Sequence, residues 1–219
     1  MSSDNNQQLD WLKPHDGSNS TPGPKGLIIG LGHAGGQMLS EIPWPEGLPL
    51  CVTVVDSDLQ TISNLGDAVK TLCVGAAVTR GYGCGGAAEI GLEAARTARD
   101  ELKALVEGHD WVAIVAGLGG GLASGAASFI AELAADMGAL VVAIVTTPFQ
   151  FEGTRRAQVA QEALSALQGS AHTVIALPNQ VLIQELDEHA TVFEAFEKTQ
   201  QWIHEALRAF WNLLYYPGP

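Results

Sequence analysis

WVAIVAGLGGGLASG, residues 111–125, runs from an unbroken apolar segment into a turn holding five glycines. An apolar run without polar alternation is the mark of a strand buried on both faces, as in a parallel sheet. The turn that follows is open enough for a ligand to reach the backbone. The helix it leads into offers its first amides and the positive end of its dipole. Working back along the chain, a second turn of this kind follows the apolar run at 27–29: Gly30-Leu31-Gly32-His33-Ala34-Gly35-Gly36. This is GxGxxG, and Asp56 ends the next apolar run, roughly where a dinucleotide-binding domain keeps its ribose acid. Alone, that pair reads as an NAD site. A second glycine-rich turn is not part of the dinucleotide fingerprint. A third, Thr79-Arg80-Gly81-Tyr82-Gly83-Cys84-Gly85-Gly86, follows another apolar run and also leads into a helix. Three such turns on one sheet edge make a phosphate cradle of backbone amides.

The rest of the chain fits around these turns. Short apolar runs at 27–29, 51–55, 69–73, 111–115, 140–145 and 173–177 predict strands. Helical periodicity between them, at 36–42, 58–66, 87–107, 123–137, 153–168 and 180–187, predicts helices on both faces of a mostly parallel sheet. A long helix is expected from about 191 to 215, ended by Pro217. Its apolar stripe is Phe196, Ile203, Ala206, Leu207, Phe210, Leu213 and Leu214. Glu194, Glu197, Lys198, Gln201, His204, Glu205, Arg208 and Asn212 form a broad wet face, as on the outer helix of a one-domain protein. Trp202, Ala209 and Tyr216 flank that face as a contact patch or as ordinary half-buried side chains. Residues 1–24 are polar and rich in Pro and Gly, which predicts a disordered tail with Trp11-Leu12 as its one apolar spot.

Composition narrows the partners. A net charge of −13 repels phosphate backbones, so nucleic acid is excluded, and an anionic membrane surface is unattractive for the same reason. The widely spaced Cys51, Cys73 and Cys84 fit neither a disulfide framework nor a CxxC metal site. Cys51 and Cys73 read as small buried hydrophobes. No apolar run is long enough to span a bilayer, and no signal peptide opens the chain. The expectation is a reduced, cytoplasmic protein with no membrane insertion.

The order of the loops resembles FtsZ, the bacterial relative of tubulin, from about Lys25 to Pro219. The first turn is similar to that family's GxGGGG, with His33 and Ala34 in place of glycines. Asp56-Ser57-Asp58 and Gln60 resemble its NTDxQ stretch, Thr79 to Glu89 its TxGxGAGxNPE loop, and Ala116 to Gly125 its AGMGGGTGTG signature. Thr147-Pro148-Phe149-Gln150-Phe151-Glu152-Gly153, with Arg155 and Arg156, follows its KPFxFEGxxR, and Leu177-Pro178-Asn179 its IPN.

The resemblance implies an α/β fold, a Rossmann-like, mostly parallel sheet, and GTP or GDP as ligand, with Mg2+ able to accompany the phosphates. It assigns the phosphates to Gly30, Gly32, His33, Gly35, Gly36 and Gln37, to Cys84, Gly85 and Gly86, and to Gly119, Gly120, Gly121, Leu122, Ala123, Ser124 and Gly125. It assigns the ribose to Glu152 and Arg156, the guanine edge to Asn179, and the base face to Phe196. Gln200 stands one helical turn beyond Phe196, where the family has Asp or Asn.

Two departures bear on function. Leu122-Ala123-Ser124 replaces Thr-Gly-Thr or Thr-Gly-Ser, removing a hydroxyl and adding a methyl where phosphate would lie, which predicts weaker binding. The family's loop of catalytic acids and its activation domain follow the long helix, and this sequence reaches Pro219 without them. No catalytic residue or resident metal ligand is therefore expected. The main expectation is residues 25–219 as an FtsZ-like guanine-nucleotide-binding domain of a cytoskeletal or division-type assembly. It would have little hydrolysis of its own and would partner itself or a full-length FtsZ-like protein. A degenerate scaffold acting through protein contacts, and a Rossmann oxidoreductase using NAD, stand as alternatives.

Overall fold

The structure, a computed structural model, describes residues 23–42, 44, 48–65, 69–182 and 190–215. Each apolar run becomes a strand: β1 Gly26–Leu31, β2 Leu50–Asp56, β3 Lys70–Cys73, β4 Trp111–Gly117, β5 Leu140–Thr147 and β6 Thr173–Pro178. All neighbouring pairs are parallel, in the order β3-β2-β1-β4-β5-β6. This is the doubly wound order, and its switch point lies between β1 and β4, where such sheets open a ligand crevice. Leu31 is in register with both Val55 and Ala116, so β1, β2 and β4 end at one level and their following turns meet.

The helices are α1 Gly32–Ser40, α2 Leu59–Asn64, α3 Ala76–Thr79, α4 Ala88–Thr97, α5 Arg99–Val106, α6 Gly121–Asp136, α7 Thr154–Ser170, α8 Asn179–Leu182 and α9 Val192–Tyr215. Alternate residues of the central strands feed two cores. Leu27, Ile29, Val112 and Ile114 pack under α4 to α7. Ile28, Trp111, Ala113 and Val115 pack under α1 and α9 with Ile203, Leu207, Phe210 and Trp211. The Trp111 indole meets Phe210 edge-on at 5.3 Å between ring centroids and donates to Tyr215 Oη at 3.2 Å, and Tyr215 Oη donates to the Pro24 carbonyl. These contacts tie the end of α9 to the start of the described chain.

Several expectations are corrected. The helix expected at 87–107 breaks at Ala98, whose amide bonds back to Ala95 and Arg96, and the turn aims Leu102 and Val106 into the core. On α9, Leu213 is 78% exposed and Trp211 is buried in its place, because the burying stripe runs through 203, 207, 210 and 211. Phe196 is not core but 46% exposed. His204 leaves the wet face: it is half-buried, with Nε2 3.3 Å from the Met38 carbonyl. Cys51 on β2 and Cys73 on the edge strand β3 are half-buried, and Cys84 is buried. The short α3 was not expected. Trp11, Leu12, Tyr216, Pro217 and the end of the helix expected at 180–187 lie outside the described residues.

Candidate functional site

The C-terminal ends of the strands surround one cavity of about 740 Å³. Two helix N-termini open onto it. The amides of Gly32, His33 and Ala34 begin α1, and those of Gly121, Leu122 and Ala123 begin α6. A first turn has no internal acceptor for these donors. The Gly83–Gly86 turn forms a third side. At the opposite end stand Pro148, Glu152 and Arg156 after β5, Asn179 after β6, and Phe193, Phe196, Thr199 and Gln200 of α9.

The residues assigned from the sequence divide into two groups. Gly32, His33, Gln37, Cys84, Gly85, Gly86, Gly120, Gly121, Leu122, Ala123, Glu152, Arg156, Asn179, Phe196 and Gln200 all line this cavity. Gly30, Gly35, Gly36, Gly119, Ser124 and Gly125 stand behind it. Gly35 and Gly125 serve close packing: a Cβ on them would lie 2.3 Å from the Val115 carbonyl oxygen and 1.9 Å from that of Ala88. The Ser124 hydroxyl accepts the Gly119 amide at 2.8 Å and so holds the turn, in which Gly119 has φ +102°. Leu122 belongs to the core beneath α6, so its place in the turn leaves the backbone amide to the cavity. Ala123 crowds little, since even a Cβ added at Gly32 would stand 3.5 Å from its methyl.

Several side chains are held in place. Glu152 accepts the Phe149 amide on Oε1 at 2.8 Å and the Arg156 guanidinium on Oε2 at 2.6 Å. Asn179 is buried, and its Oδ1 accepts the Thr199 hydroxyl at 3.1 Å. Phe149 meets Phe196 edge-on at 5.4 Å and stacks on Phe151 at 4.9 Å. His33 Nδ1 is 3.5 Å from Thr61 Oγ1. Ser57 Oγ and Cys84 Sγ lie 3.2 Å apart, and burial pushes the Cys84 thiol up. Asp56 Oδ1 accepts the Ser57 and Asp58 amides at 2.6 and 3.1 Å. Burial moves the Asp56 carboxyl above the usual carboxylate range, against those two bonds.

The sequence assignment missed Thr199 and Phe193 as cavity residues, and it named Asp56 and Ser57 only in a resembled stretch, with Asp56 as a candidate ribose acid, without assigning them to the nucleotide site. Phe193 and Thr199 carried a signal, since they stand three residues either side of Phe196 on one helical face. Among the described residues, no group of three or more His, Cys, Asp or Glu could hold a metal ion, and no helix is long and apolar enough to cross a membrane.

The family model described as "Tubulin/FtsZ family, GTPase domain" matches residues 26–187. The cell division protein FtsZ of Pseudomonas aeruginosa is 36% identical over 191 residues, 87% of this chain and 48% of that protein. The Pseudomonas putida FtsZ is 34% identical with the same coverage of each chain. The chain thus spans about half the length of the curated relatives it matches. Among solved structures, an FtsZ dimer from M. jannaschii superposes with a TM-score of 0.82 at 29% identity, covering 100% of this chain and 61% of that one. CetZ2 from Haloferax volcanii shares the fold at a TM-score of 0.75 and 23% identity, over 85% of this chain and 58% of its own.

Proposed function

The chain belongs to the Tubulin/FtsZ family, and from that membership we propose that residues 25–219 bind a guanine nucleotide as one unit of a cytoplasmic, division-type cytoskeleton. One observation carries the reading: two helix N-termini and the Gly83–Gly86 turn meet on a single cavity whose far end carries Phe196 and Asn179. Backbone amides and helix dipoles suit a chain of phosphates. An exposed phenyl ring beside a buried, oriented amide suits a planar base with polar edges. The Glu152–Arg156 pair, which follows β5 and lines the same cavity, suits the ribose between them. Leu122 packs in the core beneath α6, so it supplies no hydroxyl but leaves its backbone amide at the α6 N-terminus, which supports an occupied site.

Mg2+ fits this site as an ion held chiefly by the phosphates, since no group of three or more His, Cys, Asp or Glu among the described residues forms a cage for it. When bound it would neutralise phosphate charge. This chain's own groups bind and orient: amides face the phosphates, Glu152 and Arg156 the sugar, Asn179 and Phe196 the base. Neither Glu152 nor Asp58 is free to act as a general base. Glu152 is engaged by two donors, and Asp58 accepts the Gln60 amide and the Thr61 hydroxyl. These 219 residues alone therefore turn over GTP slowly. They assemble with a full-length FtsZ-like partner, or with another copy through a different surface, rather than stacking alone as conventional filaments.

A melting experiment tests the reading. GDP or GTP should raise the melting temperature by mass action, by an amount that grows with ligand concentration. A response to NAD with none to guanine nucleotides would favour the oxidoreductase alternative. No response to any nucleotide would favour the scaffold.

A further inference from the structure

We propose that nucleotide binding in this cavity is coupled to the protonation of His33, which becomes the cation that the phosphate end otherwise lacks. The inference deepens the nucleotide reading above and rests on it. Among the described residues, the cavity is lined by the carboxylates of Glu41, Asp56, Asp58, Glu152 and Glu197. Against them stands one arginine, Arg156, which is bonded to Glu152 at the end opposite the glycine-rich turns. Phosphates laid over those turns therefore meet no fixed positive side chain. The turn amides and helix N-termini offer partial charges alone. His33 is the one histidine among the lining residues, exposed in the first turn of α1. An imidazole is the side chain whose charge ordinarily changes between pH 5 and 8.

The hydrogen bonds of the ring say what a phosphate requires of it. Thr61 Oγ1 donates to Asp58 Oδ2 at 3.3 Å. With that proton committed, Thr61 Oγ1 is left to accept from His33 Nδ1, 3.5 Å away. The neutral ring then carries its proton on Nδ1, and Nε2 is a bare acceptor that repels a phosphate oxygen. A second proton turns Nε2 into a charged donor while the Nδ1 contact stays. The chain from Asp58 through Thr61 to His33 thus orients the ring and leaves one nitrogen to answer the ligand.

The charges around the ring make the ligand decisive. Asp56 at the end of β2 feels the charge of His33 and that of Asp58, which stands before α2. The third turn adds Tyr82 and the Cys84 thiol, which burial keeps protonated. From α6 come Gly121, Leu122 and Ala123, none of them titratable, and on α1 itself Glu41 lies about two turns further on. The two aspartates favour a cation on the ring, and the positive end of the α1 dipole opposes one. A terminal phosphate brings about −1.5 to −2 charge at neutral pH, more than any single side chain there. It tips the balance to the imidazolium, so the complex holds more protons than the free protein and its ligand. Affinity then rises as pH falls, by at most about tenfold per pH unit for one proton, until the free protein is itself protonated. The resembled turn has glycine at this position, so the coupling is a property of this chain's histidine.

Calorimetric titration of GDP at about pH 6, 7 and 8, with the neutral titration repeated in buffers of different ionisation enthalpy, counts the protons taken up. The wild type should take up more protons than His33→Gln, by a difference of up to about one. Its GDP affinity should also tighten more steeply toward acid than the variant's, by up to roughly tenfold per pH unit. The terminal phosphate of GDP, and His204 against the Met38 carbonyl, are common to both proteins and cancel in the comparison. His33→Gly, which restores the glycine of the resembled turn, should behave as His33→Gln does, and unliganded melting curves check both folds. No proton uptake by the wild type, or equal uptake and equal pH slopes in the wild type and a folded variant, overturns the proposal while leaving guanine-nucleotide binding intact. A wild type that binds neither GDP nor GTP at any of these pH values overturns both.

Discussion

Asn179 reaches the cavity on a buried side chain whose Oδ1 is pinned by the Thr199 hydroxyl. Without that donor the amide is free to rotate away from a base edge. Thr199→Val keeps the shape and removes the hydroxyl. We expect GDP affinity to fall about tenfold, on the scale of one lost buried hydrogen bond, by calorimetric titration. Unchanged affinity would show that Asn179 does not read the ligand. Gln200 lines the same end. A carboxylate there accepts two guanine N–H groups more strongly than an amide does, so Gln200→Asp should increase the preference for GDP over ADP. A preference that stays flat would move the base away from α9. At this scale the sequence was informative about residue type and silent about direction. Glu152 and Arg156 were legible as cavity residues because the 147–156 stretch is specific, and Asn179 and Phe196 through the family resemblance. That Leu122 turns into the core, that Ser124 bonds the Gly119 amide and that Asp56 keeps an unsatisfied oxygen are consequences of packing around the α6 turn and the β2 end.

The elements divide in the same way. Strands were readable because a strand buried on both faces has no polar alternation. The break at Ala98 was not, since alanine is the best helix former and the turn exists to bring Leu102 and Val106 to the core. The fit of α9 on the sheet gives two predictions. Trp111 is buried against Phe210 and Tyr215, so Trp111→Ala should cost about 3–5 kcal/mol in chemical denaturation. A loss below about 1 kcal/mol would mean that α9 does not rest there. Between α1 and α9, burial lowers the His204 pKa, opposed by the Met38 carbonyl and the charge of Glu41. The unfolded chain then binds the proton more readily than the folded one. Stability from this residue is present above the unfolded pKa of about 6.5 and is lost as pH falls through it. His204→Gln should therefore flatten the pH dependence of the melting temperature on the acid side of neutrality. A variant with the wild-type slope would assign that slope to other groups.

The whole molecule places one crevice at the switch point of a doubly wound sheet and surrounds it with three amide-bearing turns. The parallel sheet, the glycine-rich side of the crevice and the family were legible from the glycine-rich turns and the 147–156 stretch, whereas the strand order came from the structure. What the 219 residues do as an assembly was not, because contacts between molecules leave no periodic signal in one chain. Phosphate release from GTP should stay near background across protein concentrations, and electron microscopy with GTP should show no single-stranded head-to-tail filaments. Turnover that rises with concentration and is lost in Glu152→Ala would contradict this. The central claim is that the cavity is a guanine-nucleotide site. Titrating GDP, GTP and ATP into the purified chain in a calorimeter measures it most directly. The account predicts saturable binding near one guanine nucleotide per chain, weaker or absent binding of ATP, and loss of most of the heat in Phe196→Ala. Binding of ATP as tight as that of GDP, or no heat from any nucleotide at saturating concentration, would contradict it.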